Sequence, residues 1–315
     1  MKVLVLGNGI HAKKRVIPAL QQIDIVDSIV VGDKNTTKSE IRNNINFVNL
    51  SNVFESKEQY DLTLIVTPPY NHLESFQKVK EFSAKVLIEK PITNDFKYLF
   101  SSDMKNYFNE GKVIESLMYL HHPVWNRVKQ LIDLNDIRLI ESNFSVPHLE
   151  SKSFRYSKKL GGGSLNDQGI YPISLASELI KDRYEITSLN IDKEKNYEVD
   201  LGGEIQINFE NLNFIGKWGL GKEYANYLKI IDKNDDEYLI NFFYSKPDDT
   251  NIIIQNQNES KNINIGVHDQ FKLMYEHALN EDFEKFQYSS YESIKKRYSI
   301  FMYTILQIMM RNFKE

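Results

Sequence analysis

Residues 3–12 have the sequence Val-Leu-Val-Leu-Gly-Asn-Gly-Ile-His-Ala, an apolar run that leads directly into a glycine-rich turn. The turn, Gly7-Asn8-Gly9-Ile10-His11-Ala12, fits the pattern G-x-G-x-x-A between a strand and a helix. The first glycine allows a tight turn, the second lets the backbone approach a pyrophosphate, and the small alanine lets the helix pack close to the strand. Because the helix N-terminus carries partial positive charge, it favours phosphate groups. This stretch predicts a parallel α/β sheet with a dinucleotide-binding turn.

The rest of the first third of the chain follows the same plan. Short apolar runs alternate with helical patterns, which is typical of βαβ units. The predicted strands are residues 3–6, 29–31, 62–66, 86–88 and 113–114. We therefore predict a first domain of residues 1–120 that binds NAD(P).

The pattern changes near His121. Longer alternating segments are typical of an antiparallel sheet with one open face. They are residues 137–146, 203–209, 213–218 and 224–231, followed by an Asn-rich hairpin at 251–264 and a helix at 291–313. We predict a second α/β domain of residues 121–315, built on an open, mostly antiparallel sheet.

Composition limits the classes of function. The 315 residues are 26% charged and 41% hydrophobic, as expected for a globular protein with two ordinary domains. The formal net charge is −4 and no long basic block occurs, so no nucleic-acid partner is expected. The absence of cysteine excludes disulfides, thiolate nucleophiles and cysteine-based zinc sites, and no metal is predicted. No segment has the pattern of a signal peptide or a membrane span, so we expect a cytoplasmic protein with no membrane partner.

Asp33 ends the second predicted strand, where a carboxylate accepts hydrogen bonds from the adenosine ribose of a dinucleotide. Its charge repels a 2′-phosphate and therefore favours NAD, whereas the adjacent Lys34 leaves NADP as the alternative. Asp33 also fits an ordinary turn residue, and the two interpretations are compatible. His11 is expected beside the cofactor phosphates without proton chemistry.

Two further strands end in polar or rigid residues at the same carboxyl edge, where parallel sheets bind ligands. Thr67 and Pro68 are expected to line the nicotinamide side, while His72 either joins them or opens the next helix. Lys90 lies between Glu89 and a proline, and an ammonium group there can stabilise a developing alkoxide. The alternative is a surface lysine, which the proline disfavours because it fixes the direction of the chain.

A second polar segment follows three glycines at 161–163. Asp167 and Tyr171 are four residues apart, and Pro172 places a helix start close to Asp167, so the two side chains would share a helix face. The glycines would let backbone approach a ligand or the first domain. The alternative is a flexible turn, a helix cap and a core aromatic residue.

Together these motifs resemble the glucose-fructose oxidoreductase, inositol dehydrogenase and MocA family, in the expected order along the whole chain. The resemblance implies an N-terminal Rossmann domain, a C-terminal substrate-binding and oligomerisation domain, and hydride transfer between a nicotinamide and a sugar carbon. It implies that Lys90 orients substrate and assists proton transfer, and that Asp167 orients the substrate or the tyrosine. Tyr171, where many members carry histidine, becomes the candidate acid or base.

The resemblance also assigns binding residues. The expected cofactor contacts are Gly7, Asn8, Gly9, Ile10, His11, Asp33, Lys34, Thr67, Pro68, His72 and Glu89. The expected substrate contacts are Lys90, Tyr119, His122, Arg155, Asp167 and Tyr171. For Tyr119, His122 and Arg155, ordinary packing or a solvated surface is the alternative.

The D-x-G-x-Y form of residues 167–171, with the stretches 221–227 and 243–247, resembles members that act on nucleotide-linked sugars in surface-polysaccharide metabolism. The last two stretches equally fit an ordinary edge hairpin. We predict an NAD(P)-dependent oxidoreductase of a sugar secondary hydroxyl or ketone, most plausibly on a nucleotide-linked sugar, and by family analogy a homo-oligomer such as a dimer. The alternatives are a free-aldose 1-dehydrogenase and a non-catalytic nicotinamide-binding sensor, since fold alone does not guarantee turnover.

Overall fold

The computed structural model describes residues 1–42, 44–150, 153–245, 249–256 and 259–311. The chain forms two compact units, one of Met1–Met118 with Asp269–Ile294 and one of Tyr119–His268 with Lys295–Glu315. The predicted division at residue 120 did not include the return of Asp269–Ile294 to the first unit. Two buried hydrogen bonds hold this return. Lys85 Nζ donates to the Ala278 carbonyl at 2.6 Å, and the Tyr288 hydroxyl donates to the Glu115 carbonyl at 3.1 Å.

The first unit is built on a seven-stranded sheet. Its strands are β1 (Lys2–Leu6), β2 (Ser28–Asp33), β3 (Glu40–Arg42), β4 (Ile45–Asn49), β5 (Tyr60–Ile65), β6 (Ser83–Glu89) and β7 (Val113–Ser116). The order is β3-β4-β2-β1-β5-β6-β7, and all neighbours are parallel except β3 and β4. Val3 to Leu6 in the central β1 are fully buried, as expected for a strand covered on both faces. The predicted parallel sheet is confirmed.

The second unit contains an eight-stranded sheet. Its strands are β8 (Ile137–Val146), β9 (Glu185–Asp192), β10 (Gly202–Phe209), β11 (Leu212–Leu220), β12 (Ala225–Asp232), β13 (Glu237–Asn241), β14 (Thr250–Gln255) and β15 (Ser260–Gly266). The order is β15-β14-β13-β12-β8-β11-β10-β9. Only β8 and β11 pair in parallel among these neighbours, so the prediction of a mostly antiparallel sheet is confirmed.

Period-two burial marks one face of this sheet as its core side. In β12, Leu228 and Ile230 are fully buried whereas Tyr227 and Lys229 are half-buried on the other face. The Asn-rich hairpin is the β14–β15 pair, in which Gln257 and Asn258 lie outside the described residues.

The α-helices of the described residues are α1 (Ile17–Leu20), α2 (Leu50–Ser56), α3 (His72–Val79), α4 (Phe96–Leu99), α5 (Ser102–Asn109), α6 (Pro123–Leu131), α7 (Ile170–Leu179), α8 (Gln270–Leu279) and α9 (Tyr291–Arg311). Wider π-helical turns at Ala12–Val16 and Leu165–Gly169 lead into α1 and α7. The last two residues of the predicted helix 291–313 lie outside the described residues. Within the part of the chain that the structure describes, no helix is long and apolar enough to cross a membrane.

Candidate functional site

The glycine-rich turn of the first unit has the geometry that its sequence predicts. Gly7 has φ +105°, and a Cβ there would lie 3.2 Å from the carbonyl oxygen of Val66 at the end of β5. Glycine is therefore required both by conformation and by space. Gly9 faces open space, Ile10 is 75% exposed, and Ala12 is buried under the first helical turn. The backbone between β1 and the helix is left accessible to a ligand.

Asp33 closes β2 beside this turn. Its Oδ2 accepts a hydrogen bond from the Asn8 backbone N–H at 3.2 Å, and its Oδ1 accepts one from the Asn35 N–H at 2.8 Å. The carboxylate thus fixes the glycine-rich turn and its own turn together, so both sequence interpretations of Asp33 have a structural basis. Lys34 is exposed next to it.

Two buried polar atoms in this region have no hydrogen-bond partner among the described residues. They are the side-chain oxygens Oδ1 of Asn8 and Oγ1 of Thr67. Buried oxygens without a partner are uncommon in native proteins and commonly mark a site for a ligand or water. The Thr67 side chain also lies 3.4 Å from the position of a Cβ on Gly7, so both residues belong to the same turn region. A dinucleotide bound at this edge of the sheet would give both of these oxygens a hydrogen-bond partner.

His72 joins the loops after β5 and β6. It is fully buried at the start of α3, with Nε2 2.8 Å from the Thr67 carbonyl oxygen and Nδ1 2.9 Å from the Pro91 carbonyl oxygen. Burial lowers the pKa of His72, although both carbonyl oxygens and the charge of Glu89 raise it. A neutral imidazole has one N–H, so it donates to one of these carbonyls at a time. His72 therefore both opens α3 and ties the Thr67 loop to the Lys90 loop.

Glu89 lies at the end of β6 with its side chain 15% exposed, and its Oε1 is 3.4 Å from Nε2 of His11. Burial raises the pKa of the Glu89 carboxyl, but His11, Lys90 and His72 together bring it below the ordinary value. The His11 ring packs edge-on against Phe271 at 5.4 Å between centroids. Lys90 is half-buried and precedes a cis peptide bond to Pro91. The expected residues Thr67, His72, Glu89 and Lys90 thus lie together at the carboxyl edge of the first sheet, and Pro68 opens the turn that leads to α3.

In the second unit, the three glycines make a close turn against their own unit. The Gly163 N–H donates to the Arg155 carbonyl at 2.8 Å, and a Cβ on Gly162 would lie 2.5 Å from the same oxygen. A Cβ on Gly163 would lie 2.5 Å from Oδ1 of Asp200. The proposed approach of this turn to a ligand is therefore not needed to explain the glycines, because protein backbone and Asp200 occupy the space.

Asp167 follows this turn, in the π-helical segment that leads into α7. Its carboxylate accepts a charge-assisted hydrogen bond from Nε of Arg155 and one from Nε2 of Gln168 at 2.6 Å, both at Oδ2. The Asp167 side chain is 14% exposed and that of Arg155 is 33% exposed. Two of the candidate residues, Arg155 and Asp167, therefore form an ion pair with each other. Pro172 is accommodated where the wide π turn passes into the α-helix, which relieves the demand for its missing N–H.

Asp200 is a site residue that sequence analysis missed. It is buried, accepts hydrogen bonds from Ser164 Oγ at 2.5 Å and Leu165 N–H at 2.7 Å, and so holds the start of the Asp167 segment. Burial raises the pKa of Asp200, while the bonds from Ser164 and Leu165 oppose this. The available sequence signal is an acidic residue between two apolar residues, Val199 and Leu201, which the structure buries.

Tyr171 lies in an aromatic cluster on the core side of the second sheet and is 4% exposed. Its ring packs edge-on against Phe144 at 5.1 Å and Tyr119 at 6.0 Å, and tilted against Tyr244 at 5.3 Å. Tyr119 is fully buried and its hydroxyl is 2.9 Å from Ser174 Oγ. Because the Tyr119 hydroxyl is paired with Ser174 inside the unit, packing against the ring of Tyr171 is favoured for Tyr119 over the expected substrate contact.

His122 is also fully buried. Its Nδ1 accepts a hydrogen bond from the Val124 N–H at 3.1 Å and caps α6, and its ring packs edge-on against His268 at 5.4 Å. The packing alternative is therefore favoured for His122 as well. Among the described residues no group of three or more histidine, aspartate or glutamate side chains is arranged to hold a metal ion.

Comparison with known families identifies the class of protein. Residues 1–114 match the model described as an oxidoreductase family with an NAD-binding Rossmann fold, and residues 125–222 match the GFO/IDH/MocA C-terminal domain. The chain therefore belongs to the GFO/IDH/MocA family, and its first unit is an NAD-binding Rossmann domain.

Curated relatives match part of this chain in sequence. The chain is 24% identical to dTDP-3,4-didehydro-2,6-dideoxy-alpha-D-glucose 3-reductase of Saccharopolyspora spinosa over 67% of this chain and 65% of the relative. It is 26% identical to the enzyme of the same name from Actinomadura kijaniata over 47% of this chain and 45% of the relative. The chain thus matches less than two thirds of the length of these relatives.

Solved structures share the fold over nearly the whole chain. KijD10, a 3-ketoreductase from Actinomadura kijaniata in complex with NADP and TDP-benzene, superposes with a TM-score of 0.82 at 21% identity and covers 94% of both chains. An aldose-aldose oxidoreductase from Caulobacter crescentus superposes with a TM-score of 0.78 at 16% identity over 98% of both chains. At these identities the likeness concerns the fold.

Proposed function

We propose that this protein is an NAD(P)-dependent oxidoreductase that transfers hydride to or from the carbon of a sugar ketone or secondary hydroxyl, with a nucleotide-linked sugar as substrate. The observation that carries the proposal is the pair of buried, unpartnered oxygens of Asn8 and Thr67 beside the glycine-rich turn of an NAD-binding family. The curated relatives, named as reductases of a dTDP-linked keto sugar, support the substrate class.

The cofactor would be held by residues of the first unit. The backbone of Gly7 to Ile10 offers N–H groups to the pyrophosphate, and Asp33 offers carboxylate oxygens to the adenosine ribose. The bound nicotinamide supplies or accepts the hydride. Asp33 supports NAD, whereas the exposed Lys34 keeps NADP as the alternative, and the fold neighbour KijD10 is described with NADP. Thr67 and Pro68 line the nicotinamide side in this proposal.

The proton chemistry is assigned to Lys90 and Tyr171. In reduction, the carbonyl carbon gains a hydride and its oxygen becomes an alkoxide, which takes one proton from the Tyr171 hydroxyl. The family resemblance assigns to Lys90 the orientation of the substrate and assistance to proton transfer, and an ammonium group stabilises negative charge on an oxygen. In oxidation the proton moves in the opposite direction, to the tyrosinate. Asp167, fixed by Arg155 and Gln168, orients the substrate or the tyrosine.

Turnover tests this assignment. Tyr171→Phe keeps the ring packing but removes the hydroxyl, and Lys90→Met removes the charge at similar length, so both should lower kcat by roughly 10²-fold or more. NADH affinity should stay within about threefold for Tyr171→Phe, since the cofactor-binding turn is untouched. Tyr119→Phe, a change in the same aromatic cluster, is the matched control and should keep most activity. Wild-type turnover in both active-site variants would contradict the assignment.

Substrate competition distinguishes the alternatives. A nucleotide-sugar enzyme is inhibited by the matching nucleoside diphosphate, whereas a free-aldose 1-dehydrogenase oxidises xylose or glucose without such inhibition. A sensor binds NADH and turns over neither class.

We also propose a cytoplasmic homo-oligomer. Nicotinamide cofactors are supplied in the cytoplasm, and the sheet of the second unit has an outer face with half-buried Glu141, Lys217 and Tyr227. Light scattering of the purified protein measures its mass directly.

A further inference from the structure

A cleft of about 380 Å³ opens on the surface of the second unit, lined by His148, Leu149, Tyr156, Asn196, Tyr197 and Glu198. We call it the aromatic cleft. We propose that the aromatic cleft binds the nucleobase of a nucleotide-linked substrate, an inference that rests on the proposed function and adds a separate subsite to it.

Three aromatic rings in mutual contact line one wall of the cleft. The rings of His148 and Tyr197 are nearly parallel, with an interplanar angle of 16° and centroids 6.2 Å apart. Tyr156 lies 5.4 Å from Tyr197 and 6.3 Å from His148 between centroids. Tyr156 and Tyr197 are half-buried and His148 is exposed, so the wall is open to a ligand. Flat aromatic walls of this kind stack nucleobases at about 1–3 kcal/mol for each base.

The wall is held in place by specific contacts. The Tyr156 hydroxyl accepts a hydrogen bond from the Leu149 N–H at 3.0 Å and is 3.2 Å from Nδ1 of His148. Below the tyrosines is a small apolar core of Val199, Leu201 and Leu220. Because both the hydroxyl and the ring faces are fixed, the cleft keeps its shape without a ligand.

Gly221 gives His148 its space. Gly221 has φ +79°, and a Cβ at this position would lie 2.3 Å from a carbon of the His148 ring. Its N–H donates to the Val146 carbonyl at 2.9 Å, which fixes the end of β11 beside the loop that carries His148. Gly221 begins the stretch 221–227 that sequence analysis linked to nucleotide-sugar enzymes. In this structure its first residue is required by the aromatic cleft.

The cleft shares two chain segments with the Asp167 site. Tyr156 directly follows Arg155, the ion-pair partner of Asp167. Tyr197 lies three residues before Asp200, which binds the start of the Asp167 segment through Leu165. The aromatic cleft and the Asp167 site are therefore built on the same two chain segments, as a substrate that occupies both would require.

The polar rim fits a base better than a sugar or an apolar partner. The side chains of Asn196 and Glu198 are exposed at the rim and offer an amide and a carboxylate to the N–H and C=O edge of a base. A free sugar presents C–H groups and not a flat π-system to the rings, so it lacks the ring-on-ring stacking that a base gains. A flat ring with a polar edge uses both the wall and the rim.

Calorimetric titration of the full chain with dTDP, UDP and GDP tests the proposal, with saturating NADH present so that nucleotides do not occupy the dinucleotide turn. Wild type should bind at least one of them. Tyr197→Leu should weaken that binding by about tenfold or more, while Tyr197→Phe, which keeps the ring, should retain it. Tyr303→Leu, at an exposed tyrosine of the same unit, is the matched control and should change nothing.

Absence of nucleoside diphosphate binding by wild type, or equal binding by Tyr197→Leu, would overturn the proposal. Should Tyr197→Leu not fold, tyrosine-selective NMR of wild type decides instead. Shifts at Tyr156 and Tyr197 on addition of dTDP support the cleft, and shifts confined to other tyrosines contradict it. Turnover with free sugars but no dTDP, UDP or GDP binding refutes the subsite and the nucleotide-linked substrate, and leaves the oxidoreductase activity standing. Nucleotide binding without any NADH-dependent turnover refutes only the oxidoreductase.

Discussion

Nε of Arg155 donates a charge-assisted hydrogen bond to the Oδ2 carboxylate oxygen of Asp167 in the second unit. The Asp167 side chain is only 14% exposed. The backbone carbonyl of Arg155 also accepts the Gly163 N–H at 2.8 Å. One residue therefore fixes both the glycine turn and the aspartate that follows it. This relationship makes Arg155 a positioning residue in the proposed mechanism.

Replacing Arg155 by Gln removes the ion pair with the partly buried Asp167 carboxylate and leaves the hydrogen bond from the Gln168 amide in place. We expect kcat to fall roughly tenfold or more, because Asp167 is no longer held in one orientation. Arg138→Gln removes an exposed arginine–aspartate pair with Asp235 in the same unit and serves as control. Steady-state kinetics of both variants give the answer, and equal kcat values for Arg155→Gln and wild type would rule out this role.

Asp33 controls cofactor choice in the proposed function. Asp33→Asn removes the charge that repels a 2′-phosphate but keeps an oxygen that accepts the Asn8 N–H. We expect NADH binding to weaken by roughly tenfold while NADPH binding improves or stays unchanged. Lys34→Ala is the control for the neighbouring charge. The fluorescence of bound NADH and NADPH measures both affinities, and an unchanged ratio in Asp33→Asn would show that this carboxylate does not select the cofactor.

His72 links two loops through the carbonyl oxygens of Thr67 and Pro91. His72→Leu fills the space with a side chain that cannot donate, so a buried carbonyl loses its donor. We expect the free energy of unfolding to fall by about 1–3 kcal/mol. Lys38→Leu, at an exposed lysine of the same unit, should stay within about 0.5 kcal/mol of wild type. Urea unfolding of the three proteins tests this, and a neutral His72→Leu would contradict the link.

Asp200 gives a pH dependence of known sign. Burial raises the pKa of Asp200 in the folded protein above the unfolded value of 3.8. The folded state therefore holds the proton more tightly, and the stability that Asp200 contributes is complete below the unfolded pKa and is lost as pH rises through the folded pKa. Asp200→Asn, which stays neutral, should lack this part of the dependence of stability on pH. Thermal unfolding from pH 3 upwards measures it, with Asp235→Asn at an exposed turn as control. An identical dependence of stability on pH in Asp200→Asn and wild type would contradict the raised pKa of Asp200.

The fold was predictable because its signals are local. Val3 to Leu6 followed by Gly7 gives strand and turn from five residues, and the alternation of β12 gives an antiparallel strand from its own side chains. The parallel pairing of β8 with β11 was not predictable, because it joins segments separated by the whole of α7, β9 and β10. The strands β3 and β13 are short, and their local patterns do not distinguish them from turns.

The candidate site shows the same difference between local and non-local signals. Motifs nominated Asp33, Lys90, Asp167 and Tyr171 as candidates because spacing along the chain carries their chemistry. Spacing gave no indication that Arg155 pairs with Asp167 or that Asp200 binds Leu165, since these contacts depend on how the glycine turn folds back. It also could not separate packing from substrate contact at Tyr119 and His122, which only burial distinguishes.

The central claim is that the first unit binds a nicotinamide dinucleotide for hydride transfer. Fluorescence titration of the purified protein with NADH and NADPH, followed by assay of nucleotide-linked keto sugars with the preferred cofactor, tests it most directly. We predict saturable binding with a preference for NADH, and oxidation of the bound cofactor when the sugar is added. No binding of either cofactor, under conditions where circular dichroism shows a folded protein, would contradict it.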